Sequence, residues 1–427
     1  MMSKRLLTRA VINGITSLRN FIYYLIPLLI ISQSPFFWRF QIYRSFIKYC
    51  TIGLLGLYLY QIYKNKKNLS FLMWLIILYN LFVTIVSKSR GYEESLFVFM
   101  LGVLTCLIIE MVIIKNDERN FVNGARVFFS LLIYINLVLI IIYPEGLYYE
   151  DPYYNNWLLG YKNFQSCIIF PGMLFAFLDS YYSHKRIIST NSLFVILASG
   201  VTFAIIWPAS SVAAFFIFIL GLIFFSRKQM PPFINLWNVF LISAIFFIMI
   251  IVFNIQEHFA WLIEDVLKRD LSFTGRTNII WNSSIKSFLS SPFIGFGNPD
   301  SKYARLIIFG INAHAHNDIL DVLVRSGIVG LCIYIGMILC VNKRLLNYRH
   351  FIVARVMLIT IASVFVLGIV GVNHSRPTFF PMLMMAYHIE NFCSVPYREM
   401  IVKQEKQKKS RIFPVSNIKK TNLFIQP

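Results

Sequence analysis

The sequence predicts an all-α polytopic membrane protein of about twelve transmembrane helices, and three observations predict it. Of its 427 residues, 57% are hydrophobic and only 14% are charged, against roughly 25% charged in a soluble domain. The apolar residues gather in runs of roughly 20, the length an α-helix needs to cross a bilayer. The 40 Lys and Arg, set against 19 Asp and Glu, fall mainly on one side of those runs. Together these exclude a soluble globular enzyme, a disordered chain and a disulfide scaffold.

In chain order, spans are expected near residues 20–37, 44–63, 69–87, 95–114, 126–143, 163–182, 191–207, 210–225, 237–255, 319–341, 351–372 and 379–395. Only Trp207-Pro208-Ala209-Ser210-Ser211 separates the seventh from the eighth, as a tight turn or a helix break. With the N-terminus inside, the inner segments and their helix ends (Arg126, Arg355) hold 26 of the 40 cations. The positive-inside rule then puts both termini in the cytoplasm of a multi-pass protein of the cytoplasmic membrane. The net charge of +21 is therefore an orientation signal, and no nucleic-acid partner is expected. The first apolar run is followed by Arg39, Arg44 and Lys48 rather than a small-residue cleavage site, so it reads as a retained span.

The chain divides into 1–255 with nine spans, an outer loop 256–318, three further spans in 319–395, and a basic tail 396–427. The tail carries Lys403, Lys406, Lys408, Lys409 and Arg411, and it reads as solvated chain lying on anionic lipid. Glu110 and Asp179 fall near inner helix ends, where they reach water; no chain of buried carboxylates marks a proton-coupled transporter. All six cysteines lie in or beside apolar spans, where cysteine acts as a small hydrophobe. No spacing predicts a disulfide, a zinc site or any cofactor.

Two outer segments are long enough to carry chemistry. Residues 144–162 read PEGLYYEDPYYNNWLLGYK. Their aromatics, Tyr148, Tyr149, Tyr153, Tyr154, Trp157 and Tyr161, with Phe164 just beyond, suit an interfacial belt, or stacking on sugar rings. Lys162 is the only cation there, either a snorkelling lysine or a phosphate contact. The loop 256–318 balances six acidic against six basic residues, unlike the basic inner face. From Glu257 to Leu271, apolar residues at helical spacing (Phe259, Leu262, Ile263, Val266, Leu267) predict an amphipathic helix on the membrane.

A second helix is expected over Thr277–Ser290, with Thr274 as its N-cap and Pro292 as its stop. Ile280, Trp281, Ile285, Phe288 and Leu289 would be its apolar face. Arg276 would sit in its first turn, where free N–H groups and a guanidinium suit a phosphate; a surface arginine beside a turn is the plainer alternative. In Ser291-Pro292-Phe293-Ile294-Gly295-Phe296-Gly297 the glycines permit tight or left-handed turns.

The loop ends in His314-Ala315-His316-Asn317-Asp318-Ile319-Leu320, with Asn317 as N-cap of the tenth span. Asp321 and Arg325, four apart, can pair; an ionisable pair at that depth predicts a wet pocket opening outward. A histidine here suits a general base, or an interfacial hydrogen-bonding role. Two histidines one residue apart on an irregular segment are too little for a metal site, and none is expected.

The ordered set Thr274-Gly275-Arg276, Trp281, Pro292-Phe293-Ile294-Gly295-Phe296-Gly297, His316-Asn317-Asp318-Ile319-Leu320 and Gly327-Ile328-Val329-Gly330 resembles the O-antigen ligase/polymerase superfamily. Gly160-Tyr161-Lys162-Asn163 resembles its G-x-x-N segment. Ser210-Ser211 departs from the S-R pair many members carry before the eighth span, which puts a phosphate role for that turn in doubt. The resemblance implies a fold similar to C-type membrane glycosyltransferases and inverting, metal-independent glycosyl transfer from an undecaprenyl diphosphate-linked glycan. It implies His316 as the base and Arg276 and Lys162 as diphosphate ligands. Arg305 and Arg325 are further cationic candidates, and His314, Asn317, Asp321 and Trp281 supporting ones.

Polymerisation of lipid-linked polysaccharide repeat units (O-antigen, capsule or exopolysaccharide) is the leading expectation. Ligation of the glycan to lipid A–core or another envelope acceptor is the alternative within the family. A polysaccharide flippase is the alternative from another class. Expected partners are the donor, a glycan or lipid-linked acceptor, membrane lipids and envelope polysaccharide assembly proteins.

Overall fold

The structure, a computed structural model, describes residues 2–93, 95–150, 153–225, 230–266, 276–396 and 398. The expected N-cap Thr274, its neighbour Gly275, and Lys403 through Arg411 of the basic tail lie outside the described residues. The chain is an all-α polytopic membrane protein with one small sheet.

Helices α1 (Met2–Ser32), α2 (Pro35–Trp38), α3 (Gln41–Lys64), α4 (Phe71–Ser89), α5 (Ser95–Ile114) and α6 (Glu118–Ile142) come first. Strands β1 (Tyr148–Glu150), β2 (Tyr153–Trp157) and β3 (Gly160–Tyr161) follow. Then come α7 (Ser166–His184), α8 (Thr190–Ile206), α9 (Ala209–Phe225) and α10 (Leu236–Phe253). Helices α11 (Asn282–Ser290) and α12 (Lys302–Phe309) precede α13 (Asp318–Asn347), α14 (Ile352–Leu367) and α15 (Phe379–Tyr387). All twelve expected spans coincide with helix, carried by α1, α3 to α10 and α13 to α15. Among the described residues, five helices are long and apolar enough to cross a membrane, and α8, α9, α10 and α14 are shorter apolar ones. Small polar residues cap two of these helices: Ser70 accepts from Met73 N at 3.3 Å, and Asn235 from Asn238 N at 3.0 Å. Trp207 adopts a left-handed φ of 43°, and with Pro208 it makes the tight turn between α8 and α9.

The first span ends early. Gln33 turns the chain with φ 40°, and α2 follows instead of more α1. Glu110 and Asp179 do not reach water as expected; both are buried. Glu110 accepts from Ser70 N at 2.8 Å and lies 2.9 Å from His388 Nε2. Asp179 is paired with Arg119 at 2.7 Å and Arg126 at 2.9 Å. A carboxylate among packed helices is held by fixed donors, because leaving it unpaired there is costly.

The outer segment 144–162 is an antiparallel sheet in the order β1-β2-β3, with Trp157 opposite Gly160. Its aromatics are not a uniform belt. Tyr149 is exposed, but Trp157 is buried and donates to Tyr143 O at 2.7 Å. Tyr148 is buried against Phe36, with the Arg39 guanidinium 4.3 Å from its ring centroid. Alternation along a strand turns neighbouring aromatics to opposite faces, which a loop reading cannot foresee.

The segment after α10 is not one continuous amphipathic α-helix. It winds as a 3₁₀ turn over Ile255–Phe259 and a π turn over Trp261–Val266, and residues 267–271 lie outside the described ones. Phe259, Leu262 and Val266 are exposed, as a segment lying on lipid requires. The next helix opens with a π turn over Arg276–Trp281 before α11. That wide turn rotates the phase of the helix. Ile280 and Trp281 are buried, and Ile285 and Phe288 pack beside them. Leu289, expected on the same face, is exposed instead. Helix α12 was not among the expected elements, although Ser301 caps it through Ala304 N at 3.1 Å and Gly310 ends it left-handed.

Candidate functional site

The site is organised by a break in α13. Gly327 sits inside it at φ 60°, ψ −163°, so the helix is two legs joined at a non-helical residue. The break frees backbone groups, and the Pro292–Gly297 turn satisfies them. Phe296 N donates to Val324 O at 2.9 Å and Gly297 N to Arg325 O at 2.8 Å. In return, Ile328 N donates to Pro292 O at 2.8 Å and Val329 N to Phe293 O at 3.2 Å. A Cβ on Gly297 would meet Ser87 Cα of α4 at 2.6 Å. The glycines of P-x-x-G-x-G and G-x-x-G are thus the two halves of one backbone joint.

Above that joint lies a cavity of about 660 Å³. Arg276, Arg305, His314, His316 and Arg325 line it, joined by Arg376 and His374 from the segment between α14 and α15. Tyr161, Asn163 and Phe164 close one side, and Asn80, Val83, Leu101 and Thr105 of α4 and α5 the other. Asn163 Oδ1 is buried there without a hydrogen-bond partner, an acceptor available to a hydroxyl.

Each candidate residue has a definite place. Asn317 caps α13, accepting from Leu320 N at 2.9 Å, and its amide donates to Ile369 O at 2.9 Å. Asp321 is fully buried beneath the cavity. It takes Arg325 Nε at 2.6 Å and Ala315 N at 3.1 Å. Arg325 also donates to Asn298. His316 is left-handed at φ 53°. Its N–H donates to His314 Nδ1 at 3.2 Å, with the two rings 4.3 Å apart.

Two candidates stand apart. Trp281 is buried against Phe247, with ring centroids 5.0 Å apart, and does not line the cavity. It is a core residue that anchors the helix behind Arg276. Lys162 does not line the cavity either; its Nζ stands 6.0 Å from the Tyr161 ring centroid.

Two site residues escaped the sequence reading. Arg376 lies over the Phe164 ring at 4.3 Å, donates to Val372 O at 3.1 Å, and has Nη2 3.5 Å from His314 Nε2. His374 is buried and meets Asp318 at 3.0 Å and Asp321 at 3.5 Å. Asp318 also accepts from Asn373 N at 2.6 Å. The polar run Asn373-His374-Ser375-Arg376 between two apolar spans was the available signal.

Cations outnumber carboxylates on the cavity wall, where Glu150 and Asp300 also stand. Arg305 bonds to Asn312 Oδ1 at 3.0 Å and to the carbonyls of Pro299 and Asp300. Arg376 likewise has only neutral partners, so neither guanidinium is offset by a carboxylate among the described residues. Burial first, then Arg276 and Arg376, push the His316 imidazole down to about 3. Burial and the neighbouring His316 hold His314 well below the usual histidine range. Both rings are therefore neutral near pH 7, beside a concentration of fixed positive charge.

Residues 192–335 match the family model described as O-antigen ligase. The match spans about a third of the chain, from α8 into α13, and it includes Arg276, Arg305, His314, His316 and Arg325. His374 and Arg376 lie beyond it. No curated protein matches the chain. The match, with the all-α polytopic membrane fold, supports the O-antigen ligase/polymerase superfamily.

Proposed function

We propose that this chain, carrying the O-antigen ligase match over residues 192–335, polymerises lipid-linked polysaccharide repeat units at the outer face of the cytoplasmic membrane. The donor is a glycan on undecaprenyl diphosphate, and the acceptor is a second lipid-linked repeat. His316 removes the proton from the acceptor hydroxyl as that oxygen forms a bond to the donor's anomeric carbon. The anomeric carbon–phosphate oxygen bond breaks on the opposite face, and the configuration inverts. The lipid diphosphate leaves with the electron pair, and Arg276, Arg305 and Arg325 stabilise its charge.

One observation carries this reading: a neutral imidazole and several guanidiniums share a single cavity. A base must be unprotonated and a diphosphate needs fixed cations, and the cavity wall has both. Ligation to lipid A–core or another envelope acceptor is the second reading, favoured by the description of the matched family. The deletion strain separates the two. Loss of a polymerase leaves single repeats on the lipid carrier, whereas loss of a ligase leaves long chains there. Complementation with His316→Ala should reproduce the deletion profile. If His316→Ala and Arg276→Ala both restore normal polymer in a correctly inserted protein, transfer at this site is refuted and a flippase becomes the better account.

A further inference from the structure

His374 occupies an unusual position for a residue with no part in the transfer chemistry. It is buried, and each ring nitrogen faces a carboxylate of the first turn of α13: Nδ1 to Asp318 Oδ1 at 3.0 Å, Nε2 to Asp321 Oδ2 at 3.5 Å. Asp318 is held further by the backbone N–H groups of Asn373 and His374. Its own N–H donates to Gly368 O at 2.8 Å. Asp321 in turn holds Ala315 N and Arg325. A continuous path therefore runs from His374 through Asp321 to the residue immediately before His316.

That path ends where support is needed. A non-glycine residue in the left-handed region persists only when its surroundings over-determine it. His316 is such a residue. The groups holding it are few: its own N–H to His314, the Ala315 N–H to Asp321, and the Asn317 amide bonded to Ile369 and Leu320. Two of these three depend on the junction between α13 and the α14–α15 segment, which His374 pins.

Resting on the transferase reading above, we infer that His374 is a positioning residue: by bridging Asp318 and Asp321 it fixes the Asp321 carboxylate, and through it the direction of His316 and Arg325 in the cavity. It acts on the transferred proton only through these neighbours. A residue that merely filled space beside Tyr334, whose ring lies 6.1 Å away, would need no second carboxylate.

The test uses the purified full-length protein with its lipid-linked donor. His374→Gln keeps hydrogen-bonding capacity but cannot present two opposed ring nitrogens. Misplacing a catalytic group by about 1 Å costs roughly 10²-fold in rate, so kcat should fall about that much while the donor KM stays within about twofold. Asp318→Asn should give the same split, which separates positioning from a folding defect in either variant. In a His316→Ala background, His374→Gln should cost little more, since both act on one step. Wild-type kcat in His374→Gln, a fall in kcat matched by an equal rise in KM, or a full additional loss in the double variant would each overturn the inference. Wild-type polymer made by His316→Ala itself would overturn the transferase reading instead.

Discussion

A Cβ placed on Gly327 would lie 2.3 Å from both the carbonyl carbon and the oxygen of Phe293. The two residues belong to separate motifs, 34 positions apart in the chain, yet their backbones are in direct contact. The joint fixes where the Pro292–Gly297 turn sits and where α13 bends. Asp321 and Arg325 stand on the leg of α13 just before that bend, under the cavity.

Gly327→Ala should therefore be severe. The added methyl meets backbone rather than a flexible side chain, and the conformation itself is essentially open only to glycine. A loss of at least about 3 kcal/mol is expected from strain and steric conflict together. Gly336→Ala, further along α13, is the control, since its nearest neighbour would be Leu75 Cδ1 at 3.9 Å. Thermal unfolding in detergent should show a marked drop for the first and almost none for the second. Equal stabilities would mean that the joint does not hold the helix break.

Arg276→Lys should lose activity although it keeps the charge. A guanidinium presents a planar fork that meets two phosphate oxygens at once, whereas an ammonium is a point charge on a flexible stem. The expected fall in kcat/KM is about 10²-fold, similar to removal of one oriented donor in other transition-state sites. Near-normal turnover would argue that Arg276 does not meet the diphosphate.

The two acid limbs should separate. Because His316 is held at about 3 against 6.5 for a free histidine, the unfolded chain binds more protons between those values. Stability should then decline as pH falls through that window. For turnover, kcat/KM reports the free protein and kcat the donor complex. A bound diphosphate offsets Arg276 and Arg376, so His316 should take up a proton at higher pH in the complex. The acid limb of kcat should lie above that of kcat/KM, and Arg276→Ala should raise the kcat/KM limb. Coincident limbs near 6.5, unmoved by Arg276→Ala, would remove His316 as the base.

Chelation should not stop the reaction. The carboxylates beneath the cavity, Asp318 and Asp321, are already engaged by His374, Arg325 and backbone N–H groups. Guanidiniums supply the positive charge instead. Purified protein assayed in excess EDTA should keep its turnover within about twofold. A clear divalent requirement would overturn the metal-independent mechanism.

What the sequence revealed followed from periodicity and from local chemistry. The helices at all twelve expected positions were legible because bilayer thickness imposes a run length, and five of them are long and apolar enough to cross a membrane among the described residues. The Asn317 cap and the Asp321–Arg325 pair were legible because both are local, at three and four residues' spacing. The sheet around Trp157 was not, since short strands rich in tyrosine mimic an interfacial loop. His374 and Arg376 were not legible because their role comes from long-range contact. Asp318 and His374 are 56 residues apart in the chain and 3.0 Å apart in space. No spacing rule links them.

Lys162 and Arg376 provide the sharpest comparison between the two sources. The family resemblance nominated Lys162 as a diphosphate ligand, while the geometry puts Arg376 on the cavity wall and leaves Lys162 off it. Arg376 is braced by Val372 O and by the Phe164 ring, so little side-chain entropy is lost when an anion arrives. Lys162 is a long, half-buried chain beside Tyr161, and it would have to reorganise to reach the same anion. Arg376→Ala should therefore weaken donor use about tenfold or more, whereas Lys162→Ala should cost only a few-fold. Donor KM and kcat/KM in the purified variants measure this directly. The opposite ranking would mean that the outer sheet moves when the donor binds and brings Lys162 into the cavity.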